Sequence, residues 1–273
     1  MITFPNAKIN LGLNIVSRRP DGYHNIETVF YPIPLTDSLE IVPAEGTEST
    51  LTCYGRVVDC PTEKNLVMKA YRMMEKEFGL PPVDIYLVKH IPDGAGLGGG
   101  SSDASFCMKM LNNMFELGCT DEQLAKMASK IGADCPFFIH NKPMMATGIG
   151  DEFTPNDVCL KGKHMLLVKP DVSVPTKAAY AQVTPAPSAK PIPEILSDGM
   201  ENWQKELVND FEKSVFAQYP SLAEIKRTLL ESGATYAAMS GSGSSIFGIF
   251  SCAEMAEKAA DNFKEYSHFV IQL

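Results

Sequence analysis

Between Pro92 and Ser105 the chain reads Pro-Asp-Gly-Ala-Gly-Leu-Gly-Gly-Gly-Ser-Ser-Asp-Ala-Ser, with five glycines in the seven positions 94–100. Glycine weakens the interior of helices and strands, so such a run marks a loop whose backbone adopts conformations that side chains forbid. The run is preceded by an alternating stretch, Val83 to Lys89, that predicts a strand, and followed by an apolar pattern that predicts a helix from Ser101 to Phe115. A glycine loop between strand and helix can turn its N–H groups inward and add the positive end of the helix, which makes a cradle for phosphate. The alternative, a merely flexible loop, has no need of ordered elements on both sides.

Two phosphate-binding patterns can be weighed against this loop. Gly94, Gly96 and Gly99 satisfy G-x-G-x-x-G literally. In a dinucleotide site, however, the helix starts inside the fingerprint, and an acidic residue closes the next strand about twenty residues on. Here the helix is expected only from Ser101, and the next element is another helix opening at Thr120. The P-loop pattern fails outright, because no Lys-Ser or Lys-Thr follows the glycines.

The net charge of −9 argues against a surface built for nucleic acid, which needs clustered Lys and Arg. A mononucleotide pocket needs only local N–H groups, so an acidic chain can carry one. The seven cysteines form no C-x-x-C pair and are odd in number, which predicts reduced thiols rather than a disulfide framework. No His or Cys cluster has metal-ligand spacing, so no protein-built metal site is expected. Met1 leads directly into strand-like sequence with no apolar h-region, and no apolar run approaches membrane-spanning length. These features predict a cytoplasmic protein with no membrane partner.

Ile9, Leu11, Leu13 and Ile15 alternate with Lys8, Asn10, Gly12 and Asn14, which predicts a strand that presents Lys8 on its polar face. Further strands are predicted near 26–31, 38–42, 50–54, 164–169, 235–239, 245–250 and 268–272. Leu66, Val67, Ala70, Tyr71, Met74 and Phe78 fall at helical spacing. Thr120 and Gln123 form a capping box for a helix expected to end at Gly132, with Asp134 just beyond and Pro136 able to open a short helix. Four prolines between Val183 and Pro193 mark a surface loop. Helices are predicted over 201–218, 221–232 and 252–265. The whole reads as α+β with a β-β-α-β ending, and the boundary between two domains is expected near 153–163.

Several side chains stand out against this framework. Asp134 is a carboxylate in apolar sequence, which suits either a cap on the helix at Pro136 or action on a substrate. Lys8 is either a solvated residue on an edge strand or a fixed ammonium at a site. Ser101 and Ser102 are either plain caps or phosphate contacts. Asp21-Gly22-Tyr23-His24 has a turn signature, with Tyr23 either packed on a core or offered to a planar ligand.

The string Pro92-x-x-x-Gly96-Leu97-Gly98-x-x-Ser101-Ser102-x-Ala104 resembles the central motif of the GHMP kinases, a family of small-molecule kinases. The resemblance extends through Ala7-Lys8-Ile9-Asn10-Leu11, Pro20 to His24, Gly132 to Phe138, Val174-Pro175-Thr176 and Met239 to Gly243, in that order. It implies a two-domain fold, with an N-terminal domain of the ribosomal-protein type over 1–155 and a ferredoxin-like C-terminal domain over 156–273. It implies ATP, accompanied by Mg2+, seated on Pro92, Asp93, Gly94, Ala95, Gly96, Leu97, Gly98, Gly99, Gly100, Ser101 and Ser102. Asp134 and Lys8 take the catalytic roles in this resemblance, facing an acceptor hydroxyl. The triple glycine and the Asp-Gly-Tyr-His segment are similar to the branch whose acceptor carries a cytidine diphosphate. That similarity implies Tyr23 and Tyr180 stacking on the base, His24 bonding its edge, and Asn10, Asn65 and Thr176 contacting substrate. Asp103 stands where the family often has asparagine or alanine, and it is not expected to bind metal. Gly241-Ser242-Gly243 is expected to pack against the first glycine loop. Kinases of the same family with smaller acceptors, of the homoserine or mevalonate type, are the nearest alternative, and a dinucleotide oxidoreductase is a more distant one.

Overall fold

The computed structural model describes residues 1–57 and 60–273. They form two compact units that interleave along the sequence. The first comprises residues 1–7, 35–93 and 98–142, and the second 8–34, 94–97 and 143–273.

In the first unit a four-stranded sheet runs in the order Ile2–Thr3, Ser38–Pro43, Val83–Lys89, Thr50–Gly55. The last two strands are parallel and the other pairs antiparallel. Helix Leu66–Phe78 and helix Gly99–Met114 bury apolar faces in one core with the sheet residues Leu39, Ile41, Val83, Ile85 and Leu87. The first of these helices is framed as its sequence dictates. Asn65 accepts from the Val67 amide at 2.9 Å, and Gly79 at φ 67° ends it. The capping box of Thr120 and Gln123 opens helix Asp121–Ala128, which is shorter than the period suggested, since irregular turns carry the chain on to Gly132. The short helix Cys135–His140 follows, with its proline in the first turn.

The second unit contains two sheets. One runs Asn6–Arg18, His24–Thr36, Met144–Thr147, Glu152–Pro155. The other runs Tyr236–Met239, Ile246–Phe250, His164–Lys169, Ser267–Gln272, with every pair antiparallel. A β-α-β-β-α-β succession with the first strand between the third and fourth is the ferredoxin-like arrangement. Its core joins Leu166, Val168, Phe211, Leu222, Ile246 and Phe250 to Leu13, Ile15 and Ile26 from the other sheet.

Three expectations need correction. The helix after the glycine loop begins at Gly99, not Ser101, with Gly98 as its cap at φ 71°. The strand Asn6–Arg18 is buried on both faces, so its alternation does not separate core from solvent. The single helix expected over 201–218 is two, Met200–Glu206 and Phe211–Gln218, because the backbone between them forms a bridge to Leu13.

Candidate functional site

In the second unit the loop residues 94–97 press against the second glycine loop. Gly96 sits at φ 75°, and a Cβ there would lie 2.0 Å from the Ser240 carbonyl oxygen, so only glycine fits. Ser240 Oγ donates to the Gly96 carbonyl at 2.8 Å, and the Ser245 amide donates to the Ala95 carbonyl at 3.3 Å. The Lys8 amide donates to the Leu97 carbonyl at 2.9 Å. These bonds use loop carbonyls, not loop N–H groups, which is the polarity a phosphate cradle requires. The expected packing of the Gly241–Gly243 turn on the first glycine loop is present.

The Lys8 side chain is 4% exposed, which removes the reading of a solvated edge residue. Its ammonium donates to Asn10 Oδ1 at 2.7 Å and lies 4.6 Å from the Phe30 ring centroid. Asn10 in turn donates to Thr28 Oγ1 at 2.9 Å, and the Thr28 hydroxyl donates to the Gly12 carbonyl at 2.5 Å. Asn10 therefore orients the lysine, a role its spacing alone did not reveal.

Asp21 accepts from the Tyr23 amide at 3.1 Å and from Arg19, forming the expected turn. Tyr23 is 62% exposed rather than packed on a core. His24 stacks on Tyr180, with ring centroids 5.0 Å apart and planes inclined by 17°. Tyr180 rests edge-on against the buried Phe211, at 4.8 Å between centroids. This is a planar, aromatic surface with an imidazole on it. Thr176 is exposed, and its hydroxyl lies 3.2 Å from Ser242 Oγ.

In the first unit, Gly98 to Gly100 lead into the helix that carries Ser101, Ser102 and Asp103. Pro92 is buried and Asp93 exposed at the entry to the loop. Ser102 is buried in the first turn and caps nothing; its hydroxyl has no hydrogen-bond partner. Asn65 is spent partly as the helix cap described above. Asp134 is half-buried and precedes helix Cys135–His140, but its side chain makes no cap hydrogen bond. The capping role that competed with a substrate role is not taken up.

A buried ion cluster under the helix start was not foreseen. Lys89 bonds both Asp37 and Asp103, the latter at 2.7 Å, and all three are nearly inaccessible. Asp37 also accepts from the amides of His90, at 2.5 Å, and Ile91, at 2.8 Å. A Cβ on Gly99 would lie 3.3 Å from the Lys89 ammonium and 2.9 Å from Ile91. Burial pushes the Asp103 carboxyl up to about 7, with Lys89 opposing and Asp37 adding to the shift. Burial pulls Lys89 down, but the two carboxylates outweigh it and its net shift is upward. Both directions keep protons inside a cluster of two acids and one base. Asp103 is thus a structural partner of Lys89.

All seven cysteines are free thiols. Among the described residues no helix is long and apolar enough to cross a membrane.

With this geometry in hand, comparison with known proteins is specific. The family model for the GHMP kinases N terminal domain matches residues 65–142, and that for GHMP kinases C terminal matches 189–268. A 4-diphosphocytidyl-2-C-methyl-D-erythritol kinase of Bacteroides fragilis is 56% identical over 94% of this chain and 95% of its own. Its counterpart from Porphyromonas gingivalis is 52% identical over 95% and 96%. A crystal structure of 4-(cytidine 5'-diphospho)-2C-methyl-D-erythritol kinase superposes with a TM-score of 0.85 at 31% identity, covering 99% of this chain and 98% of that one. A mevalonate kinase structure, at 14% identity and a TM-score of 0.75, shares the fold.

Proposed function

The chain belongs to the 4-diphosphocytidyl-2-C-methyl-D-erythritol kinases, a branch of the GHMP kinases, and from that membership we propose that it moves the γ-phosphoryl group of ATP to the 2-hydroxyl of 4-diphosphocytidyl-2-C-methyl-D-erythritol, giving the 2-phosphate and ADP. The product belongs to the non-mevalonate route to isoprenoid precursors, and the reading places the enzyme in the cytoplasm. The observation that carries it is the match, from end to end of the chain, to relatives bearing that name. The family boundary is taken at residue 155, with the matched segments on either side.

Phosphoryl transfer asks a protein chiefly for in-line positioning and for charge opposite the transferred group. The loop from Pro92 to Ser102, with the helix start at Gly99, is assigned to the nucleotide's phosphates, and Mg2+ is read as arriving with the nucleotide. Lys8 is buried and fixed by Asn10, so its charge needs no reorganisation as the transition state forms. Asp134 is assigned to the acceptor hydroxyl, which it orients and whose proton it receives as the new P–O bond forms. Tyr23, His24 and Tyr180 are assigned to the cytosine, with Asn10, Asn65 and Thr176 as further substrate contacts. Smaller acceptors would not need the Asp-Gly-Tyr-His pocket.

The test is an ATP-dependent phosphorylation assay across cytidine diphosphate and smaller alcohols, with phosphorus NMR locating the new ester. Phosphorylation of a smaller alcohol in preference to the cytidine compound would overturn the assignment. Asp134→Asn and Lys8→Ala are each expected to lower turnover by roughly a hundredfold or more with ATP affinity nearly unchanged.

A further inference from the structure

We propose that Asn209 is a positioning residue for the nucleotide cradle, acting through the second glycine loop. The inference rests on the reading of the first glycine loop as a nucleotide site and adds a residue that neither motif nor spacing singles out.

Asn209 lies where the helix expected over 201–218 breaks. The Leu13 amide donates to the Val208 carbonyl at 2.9 Å, and the Asp210 amide donates to the Leu13 carbonyl at 2.8 Å, so the break is stitched to the strand that carries Lys8. Asp210 adds a bond from the Ile15 amide at 2.7 Å. The Asn209 side chain, 4% exposed, faces the other way. Its Nδ2 donates to the carbonyls of Met239 and Gly241, both at 2.8 Å, and its Oδ1 accepts from the Phe211 amide at 3.0 Å.

Those two carbonyls flank Ser240, whose hydroxyl holds Gly96. The links close a circuit from Leu13 through Asn209 to Met239 and Gly241, through Ser240 to Gly96, and from Leu97 back to Lys8 on the strand where it began. An amide suits this place because it donates two bonds and accepts one without charge. A carboxylate of the same shape would set its oxygen against two carbonyl oxygens. Asn209 touches no reacting atom; it fixes the distance between the strand of Lys8 and the carbonyls that flank Ser240, whose hydroxyl holds the loop.

The experiment measures affinity for a non-hydrolysable ATP analogue by titration calorimetry, and KM and kcat with each substrate, in Asn209→Ala, Asn209→Asp, Ser240→Ala and the Asn209→Ala/Ser240→Ala double variant. Asn209→Ala is expected to weaken analogue binding by about fivefold or more, and Asn209→Asp at least as much, with KM for the cytidine substrate changed less than about twofold. The double variant should be little worse than the weaker single variant, because both changes interrupt one path. A role in folding alone would lower the active fraction and leave both KM values as they were. Unchanged analogue affinity in folded variants, multiplying losses in the double variant, or an Asn209→Asp protein that binds like the wild type would each overturn the proposal. Should Asn209→Ala fail to fold, the isosteric Asn209→Asp paired with Ser240→Ala supplies the same cycle. A wild-type protein that binds no adenine nucleotide would overturn the reading of the cradle itself.

Discussion

Residues 94–97 and residues 98–103 adjoin in the chain, yet the first are held by neutral hydrogen bonds from Ser240, Ser245 and Lys8, and the second lead to a buried cluster of Asp37, Lys89 and Asp103. The contrast matters because the two devices respond to different insults. A neutral bond contributes about 0.5–1.5 kcal/mol net, and its loss is felt mainly through the group left unpaired. A buried ion cluster adds little over an apolar filling but is expensive to break by halves. One stretch of loop is therefore insensitive to pH and tolerant of partial damage, and its neighbour is neither.

The comparison is broken most forcefully at Lys89. Lys89→Met leaves two carboxylates buried together and is expected to destabilise the fold by about 3–5 kcal/mol, read from urea unfolding. A loss below 1 kcal/mol, on the order of an exposed pair, would show that water reaches the cluster. Within the neutral stretch, Gly94→Ala meets only the left-handed backbone cost of about 1–2 kcal/mol, since nothing lies near its missing Cβ. Gly96→Ala carries the same backbone cost and also drives a methyl into the Ser240 carbonyl. It should lose clearly more stability and bind the ATP analogue more weakly, and equal losses at the two positions would separate Gly96 from Ser240.

Ser240→Ala is expected to cost about 1–2 kcal/mol, with the same value at pH 5 and pH 8, because no group in that link titrates. A cost that changes over this range would place a charge where the structure shows none. A pH titration sharpens the charged side. The Asp103 carboxyl holds its proton up to about 7 in the fold, against 3.8 for an ordinary aspartate. The folded state thus keeps a proton that the unfolded chain releases earlier, so its stabilising contribution is present below the unfolded value and is lost as pH rises through the folded one. Wild type should lose more stability than Asp103→Asn between about pH 4 and pH 7.5. Parallel stability profiles for the two proteins would assign the pH response to another group.

What sequence could announce here was local. The glycine loop, the capping box at Thr120, the short helix at Pro136 and the strand before the loop all depend on residues within a few positions of one another. The start of the helix at Gly99 escaped, because glycine is a poor helix former and propensity favours the serines. The alternation from Lys8 to Ile15 identified a strand but could not show that later segments cover its polar face as well. Asp37 and Asp103 lie 52 and 14 positions from Lys89, and no spacing rule links them. Apolar positions run on from Leu207 to Phe211 as a helix would have them, and only the bridge to Leu13 breaks the helix there. The stacking of His24 on Tyr180 likewise joins the strand His24–Thr36 to the helix Thr176–Ala181, far apart in sequence.

The interleaving of the two units has a consequence for the order in which the chain is made. Every residue of the first unit has been synthesised by Lys142, whereas the second unit includes residues as early as Lys8 and as late as Leu273. On a ribosome the first unit can therefore close while the strands at 8–18 and 24–34 still lack Met144–Thr147, which pairs with Thr28 to Phe30, and the late core residues Phe211, Ile246 and Phe250 that pack with Leu13, Ile15 and Ile26. The strand bearing Lys8 has its neighbour His24–Thr36 at hand early, but its apolar residues Leu13 and Ile15 stay uncovered until Phe211, Ile246 and Phe250 have followed. The residues that grip the glycine loop from the far end, Ser240 and Ser245, arrive later still, so residues 94–97 acquire their final contacts only when synthesis is nearly complete.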